Sequence, residues 1–158
     1  MKLEISSRVV DAIVAAADAR PDAEICGLLF GGAGRIDDFQ LCSNVASDPA
    51  CAFEIDPAQL LAAHKAMRAG GPNTLGCFHS HPGGSTAPSL RDAEMAAPDG
   101  SFWLIAARSE IGIWRAVANG VRHDRFDPVA WHLGPSSCAS GAASPQEPHH
   151  SNRSASVS

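Results

Sequence analysis

The sequence predicts an α/β domain, a sheet with helices packed around it. Short apolar runs closed by glycines have strand length, and longer stretches between them place apolar residues at helical spacing. Hydrophobic residues make up 45% of the 158, enough for one ordinary core.

Taken in order, residues 7–19 place apolar side chains at Val9, Val10, Ile13, Val14 and Ala17, with Pro21 just beyond, and predict a helix. The run from Glu24 to Gly32 reads as a buried strand, residues 35–45 as a second and 52–55 as a short third. Asp56 caps a helix with Pro57 at its first position, which continues through Leu60, Leu61, His64 and Met67 to Gly70-Gly71. A strand from about Thr74 reaches His79, and Ser89 to Ala97 reads as a short helix. Residues 101–107 and 111–117 predict a hairpin across Ser109-Glu110, and 121–126 a further strand. From Leu133 the composition turns to Ser, Ala, Pro and His. Such a segment buries too little surface to offset its ordering entropy, so the expectation is one domain over 1–132 and a disordered tail over 133–158.

The net charge of −5, from 12 basic and 17 acidic residues with no basic cluster, gives no electrostatic support to nucleic-acid or anionic-membrane binding. No apolar run approaches the roughly 18 residues of a membrane span. Arg8, Asp11 and Asp18 punctuate the N-terminal region, so no signal peptide is expected there. Five cysteines, an odd number without C-x-x-C spacing, point to reduced thiols and a cytoplasmic setting.

The chemistry concentrates in His79-Ser80-His81-Pro82 and Ser89-Leu90-Arg91-Asp92. In a strand, His79 and His81 share a face about 6.6 Å apart, close enough to converge on one metal ion. The turn after Pro82 can return Asp92 as a third ligand, and two histidines, a carboxylate and an open position describe a catalytic zinc site. Each residue also has a plainer reading. A strand histidine is commonly a half-buried polar residue, and Ser-x-x-Asp resembles a helix capping box. Cys77 shares the histidine face but lies about 13 Å from His81 along an extended strand, so it reads as core, as do Cys26 and Cys51. A zinc hydrolase needs a base for its water, and spacing does not choose Glu24 over Glu54 or Glu94.

At these residues the chain resembles the JAMM (MPN+) family of zinc metalloproteases, including its prokaryotic JAB-type members. The family pattern is an upstream glutamate, His-Ser/Thr-His-Pro, a six-residue spacer and Ser-x-x-Asp. Here these are Glu24, His79-Ser80-His81-Pro82, residues 83–88 and Ser89 to Asp92. Asn44 to Pro49 and Phe53 to Pro57 also look like the compact bacterial members, and the resemblance covers about residues 1–130. It implies a deaminase-like three-layer α/β sandwich with a mixed central sheet. It also implies Zn2+ held by His79, His81 and Asp92, with Glu24 as general acid/base, Ser89 stabilising the oxyanion and Ser80 structural. The reaction implied is hydrolysis of an amide by a metal-activated water. The expected partner is a protein substrate, a ubiquitin-like sulfur carrier trimmed near its Gly-Gly C-terminus. A zinc hydrolase of small amides and a non-catalytic MPN-type scaffold are the alternatives.

Overall fold

A computed structural model describes residues 2–136. Its elements are β1 (Leu3–Ser6), α1 (Ser7–Asp18), β2 (Cys26–Gly32), β3 (Arg35–Cys42), α2 (Pro57–Arg68), β4 (Thr74–Ser80), α3 (Leu90–Met95), β5 (Phe102–Ala107), β6 (Glu110–Ala116), β7 (Phe126–Pro128) and β8 (Trp131–Gly134). The strands form one mixed sheet in the order β7-β6-β5-β4-β2-β3-β1-β8. Three layers result, as the α/β sandwich expectation requires. Val9 and Ile13 of α1 pack on one face against Ile5, Leu29, Phe78, Leu104 and Ile113. On the other face, Ala63 and Leu60 of α2 meet Leu28, Phe30 and Cys42, and Phe53, Trp103, Ala96 and Phe126 form a second cluster.

Local chemistry explains the boundaries. Asp56 caps α2 by accepting from the Ala58 N–H at 2.9 Å, and Pro57 begins the helix. The β5–β6 hairpin turns through Arg108 and Ser109 at φ 51° and 62°, the left-handed pair that a tight two-residue turn demands. Gly27 is required where it stands: a Cβ there would collide with the Gln40 carbonyl and the Phe78 ring.

Several expectations need correction. Residues 52–55 form no strand; Ile55 makes only an isolated bridge to Asn44, whose side chain already occupies the Ala52 carbonyl and the Glu54 N–H. The strand expected at 121–126 begins only at Phe126, because His123 and Asp124 are left-handed (φ 53° and 57°) and curl the chain. β1 and β8, each four residues long, had no expectation of their own. The domain limit drawn at 132 falls inside β8, which pairs with β1 as far as Gly134. The rest of the expected tail, from residue 137, lies outside the described residues. Cys51 is exposed rather than core.

β7 and β8 occupy opposite rims of the sheet yet only Val129 and Ala130 separate them. The three Cα steps from Pro128 to Trp131 span at most about 11 Å, whereas eight flat strands would stand about 34 Å across. The sheet must therefore curl. The Val129 N–H donates to the Ile113 carbonyl at 2.9 Å and the Ala130 carbonyl accepts from the Leu3 N–H at 3.0 Å, so one bent segment ties both rims together.

Candidate metal centre

His79 sits near the end of β4, flanked by β2 and β5 with Cys26 and Ile105 as its ladder neighbours. It is fully buried, stacked on Phe53 at 4.3 Å between ring centroids and met edge-on by Trp103. The ladder continues one residue past the strand, where the His81 N–H donates to the Ala106 carbonyl. Alternation then aims both imidazoles at one point: His79 Nε2 and His81 Nε2 are 3.0 Å apart. Ser80 faces the other way and its hydroxyl accepts from the Ile25 N–H at 2.9 Å, binding the end of β4 to the entry of β2.

Asp92 completes the convergence. Its Oδ2 lies 3.1 Å from both Nε2 atoms. Ser89 and Asp92 also form the capping box of α3: the Ser89 hydroxyl accepts from the Asp92 N–H, and Asp92 Oδ2 accepts from the Ser89 N–H. The cap and the convergence are both present, so neither reading of Ser-x-x-Asp excludes the other. Glu24, buried just before β2, places Oε1 3.9 Å from His81 Nε2. Glu54 and Glu94, which spacing left level with it, are exposed.

The donor set fits a zinc-sized ion. Two imidazole nitrogens and a carboxylate oxygen ligating at 2.0–2.1 Å around a tetrahedron would be about 3.3 Å apart, and here they lie 3.0, 3.1 and 3.1 Å apart. His81 Nδ1 is 2.8 Å from the Ser85 carbonyl, which fixes its proton there and turns the Nε2 lone pair inward. Glu24, His79 and His81 also lie within one 4.8 Å group of ligand-capable atoms. Cys77, half-buried and with its thiol pushed up by desolvation, takes no part.

Electrostatics at His79, Asp92 and Glu24 suit the same purpose. Burial lowers the pKa of His79, against the pull of Asp92, and so favours the neutral imidazole that a metal requires. Burial alone would raise Asp92, but the hydrogen bonds of His79 and His81 outweigh it and hold the carboxylate ionised. For His81, burial pulls down while Asp92 and the Ser85 carbonyl pull up harder, and the net shift is upward. Desolvation lifts Glu24 to about 7, opposed by His81 and Arg91 and assisted by Asp92. A carboxylate poised near neutrality can both take and return a proton.

Residue spacing did not reveal Phe53, Trp103 or Asn44. Asn44 uses its whole amide: Nδ2 donates to the carbonyls of Glu24 and Ala52, and Oδ1 accepts from the N–H groups of Ala46 and Glu54. It thereby fastens the 44–54 loop to the backbone of Glu24. Among the described residues no helix is long and apolar enough to cross a membrane.

Comparison with known proteins gives the geometry a context. The family model described as prokaryotic homologs of the JAB domain matches residues 6–119. A desampylase from Haloferax volcanii is 36% identical over 89 residues, covering 55% of this chain and 64% of the relative. A probable TtuB-protein conjugate cleaving protease from Thermus thermophilus is 37% identical over 68 residues, 43% of this chain and 46% of that protein. The chain thus spans less than two thirds of the length of these curated relatives. A solution structure of a Desulfitobacterium hafniense protein superposes with a TM-score of 0.69 at 25% identity, covering 84% of this chain and 93% of that one.

Proposed function

The chain belongs to the prokaryotic homologs of the JAB domain, and from that premise we propose that it is a zinc-dependent metallopeptidase that hydrolyses an amide bond in a protein conjugate. The observation that carries this reading is the meeting of His79 Nε2, His81 Nε2 and Asp92 Oδ2 within 3.1 Å of one another, with Glu24 at 3.9 Å. In this reading the two histidines and Asp92 hold Zn2+, which supplies Lewis acidity toward the carbonyl and makes water a nucleophile at neutral pH. Glu24 takes the proton from the attacking water and delivers it to the departing amine. Its buried carboxyl, lifted to about 7, suits both halves of that transfer. Ser89 is exposed, and its oxygen already accepts from the Asp92 N–H, which leaves its own proton to donate to the developing oxyanion.

The substrate we assign is a ubiquitin-like sulfur-carrier protein, processed near its Gly-Gly C-terminus. Support comes from the relatives named as a desampylase and a TtuB-protein conjugate cleaving protease. The test is intact-mass measurement on a panel of such carriers extended beyond Gly-Gly, incubated with zinc-loaded protein or with the Glu24→Ala variant. Loss of the extension with the wild type alone is the expected result. Intact carriers beside zinc-bound, folded protein would reject this substrate class and favour a hydrolase of small amides. Failure of the wild type to bind zinc would favour the scaffold.

A further inference from the structure

Asp92 reaches the histidines by a route unlike theirs. Residues 83–88 belong to no helix or strand, and α3 has six residues. The capping box ties Asp92 to Ser89, so the two move as one unit with the chain that precedes them. Fixing such a loop costs roughly 1–2 kcal/mol of backbone entropy per residue unless something holds it. Side chains hold it from outside, each through a carbonyl. Arg108 donates to Gly83 at 3.1 Å, and Trp114 Nε1 to Thr86 at 2.8 Å. Arg122 Nε donates to Pro88 at 3.2 Å, with His123 Nε2 3.1 Å from the same oxygen.

We propose that Trp114, Arg122 and His123 are positioning residues for Asp92, setting its carboxylate against His79 and His81 by gripping the carbonyls of Thr86 and Pro88. Two independent features point the same way. β6 has a glycine where the spacer crosses it, and a Cβ at Gly112 would stand 2.6 Å from the Thr86 oxygen, so loop and strand are in backbone contact. The 119–125 turn holds Asn119, His123 and Asp124 in the left-handed region at φ 58°, 53° and 57°. Residues other than glycine keep that conformation at a cost of about 1–2 kcal/mol each, where the surroundings over-determine it. Here it turns Arg122 and His123 onto one oxygen. Both lie beyond residues 6–119, so the family match does not reach them.

The inference rests on the metal reading above, and the test separates the two. Three full-chain variants are compared with the wild type: Trp114→Phe, the pair Arg122→Met/His123→Phe, and Arg122→Lys/His123→Gln, which keeps donors at both positions. Zinc affinity is measured by chelator competition, and the visible spectrum of the cobalt-loaded protein reports coordination. Loss of the donors is expected to weaken zinc binding about 10- to 100-fold and to alter the cobalt spectrum, and the donor-keeping pair to recover most of it. Wild-type affinity and spectrum in both donor-less variants, even with a lowered melting temperature, would overturn the inference and leave the metal reading standing. Unchanged zinc binding in Asp92→Asn would overturn the metal reading and the inference with it.

Discussion

The two halves of the candidate centre are built on opposite plans. The histidine half is part of the central sheet: His79 has a strand on each side, Ser80 is bonded to the Ile25 N–H, and the ladder runs on through His81. The aspartate half hangs on a loop and a six-residue capped helix, steadied by side chains that belong to β6 and the turn after it. The first half inherits its precision from the fold's most cooperative part. The second acquires it from a few polar contacts that can be removed singly. Damage to the histidine half should therefore appear as lost stability, and damage to the aspartate half as lost metal affinity.

The largest expected effect bypasses that contrast and so calibrates it. Glu24→Gln should lower the hydrolytic rate about 10²- to 10⁴-fold, the worth of a general base, with zinc content unchanged by elemental analysis. Loss of zinc would make Glu24 a ligand rather than a base.

Next comes pH. In the metal-free protein Glu24 has a pKa raised from 4.5 to about 7, so the fold holds a proton that the unfolded chain has released. Its contribution is complete below pH 4.5, falls as pH rises, and is lost above about 7. The difference in unfolding free energy between Glu24→Gln and wild type, from chelator-treated denaturant titrations, should grow across that window by up to about 3 kcal/mol. A flat difference would show that the carboxyl is solvated, and that the sheet end of the centre is looser than its burial indicates.

Ser80→Ala should cost about 2 kcal/mol by leaving the buried Ile25 N–H without its partner, while zinc affinity of the folded protein stays within about threefold. Ser89→Ala, the smallest change, should cost about 1 kcal/mol as a lost cap but weaken zinc several-fold, because the Asp92 N–H loses its acceptor. If calorimetry and chelator competition reversed those two signatures, the contrast between the halves would fail.

The same division governed what could be read in the sequence. The histidine half follows from alternation and strand length, and His79-Ser80-His81 is legible without any fold. Ser89 and Asp92 were legible as a cap, and as ligands only if their helix faced the histidines. Glu24 could not be chosen by spacing, because its place depends on β2 and β4 pairing over more than fifty residues. Trp114, Arg122 and His123 leave no signature, since a side chain that donates to a remote carbonyl imposes no pattern on its own neighbours. Residues 52–55 misled for a related reason: they have strand composition, but the side chain of Asn44 takes hydrogen bonds that a ladder would have used. β1 and β8 are short, and they pair with each other from widely separated parts of the chain.

That far partner has a consequence for how the protein is made. Leu3 bonds to Ala130, and β1 pairs with β8 through Gly134. A nascent chain therefore contains Glu24, both histidines and Asp92 before the strand that closes the sheet has been synthesised. Contacts this distant in sequence form slowly, so the N-terminal strand waits for most of translation with its hydrogen-bonding edge open. The interval before closure is when this chain is most exposed to aggregation.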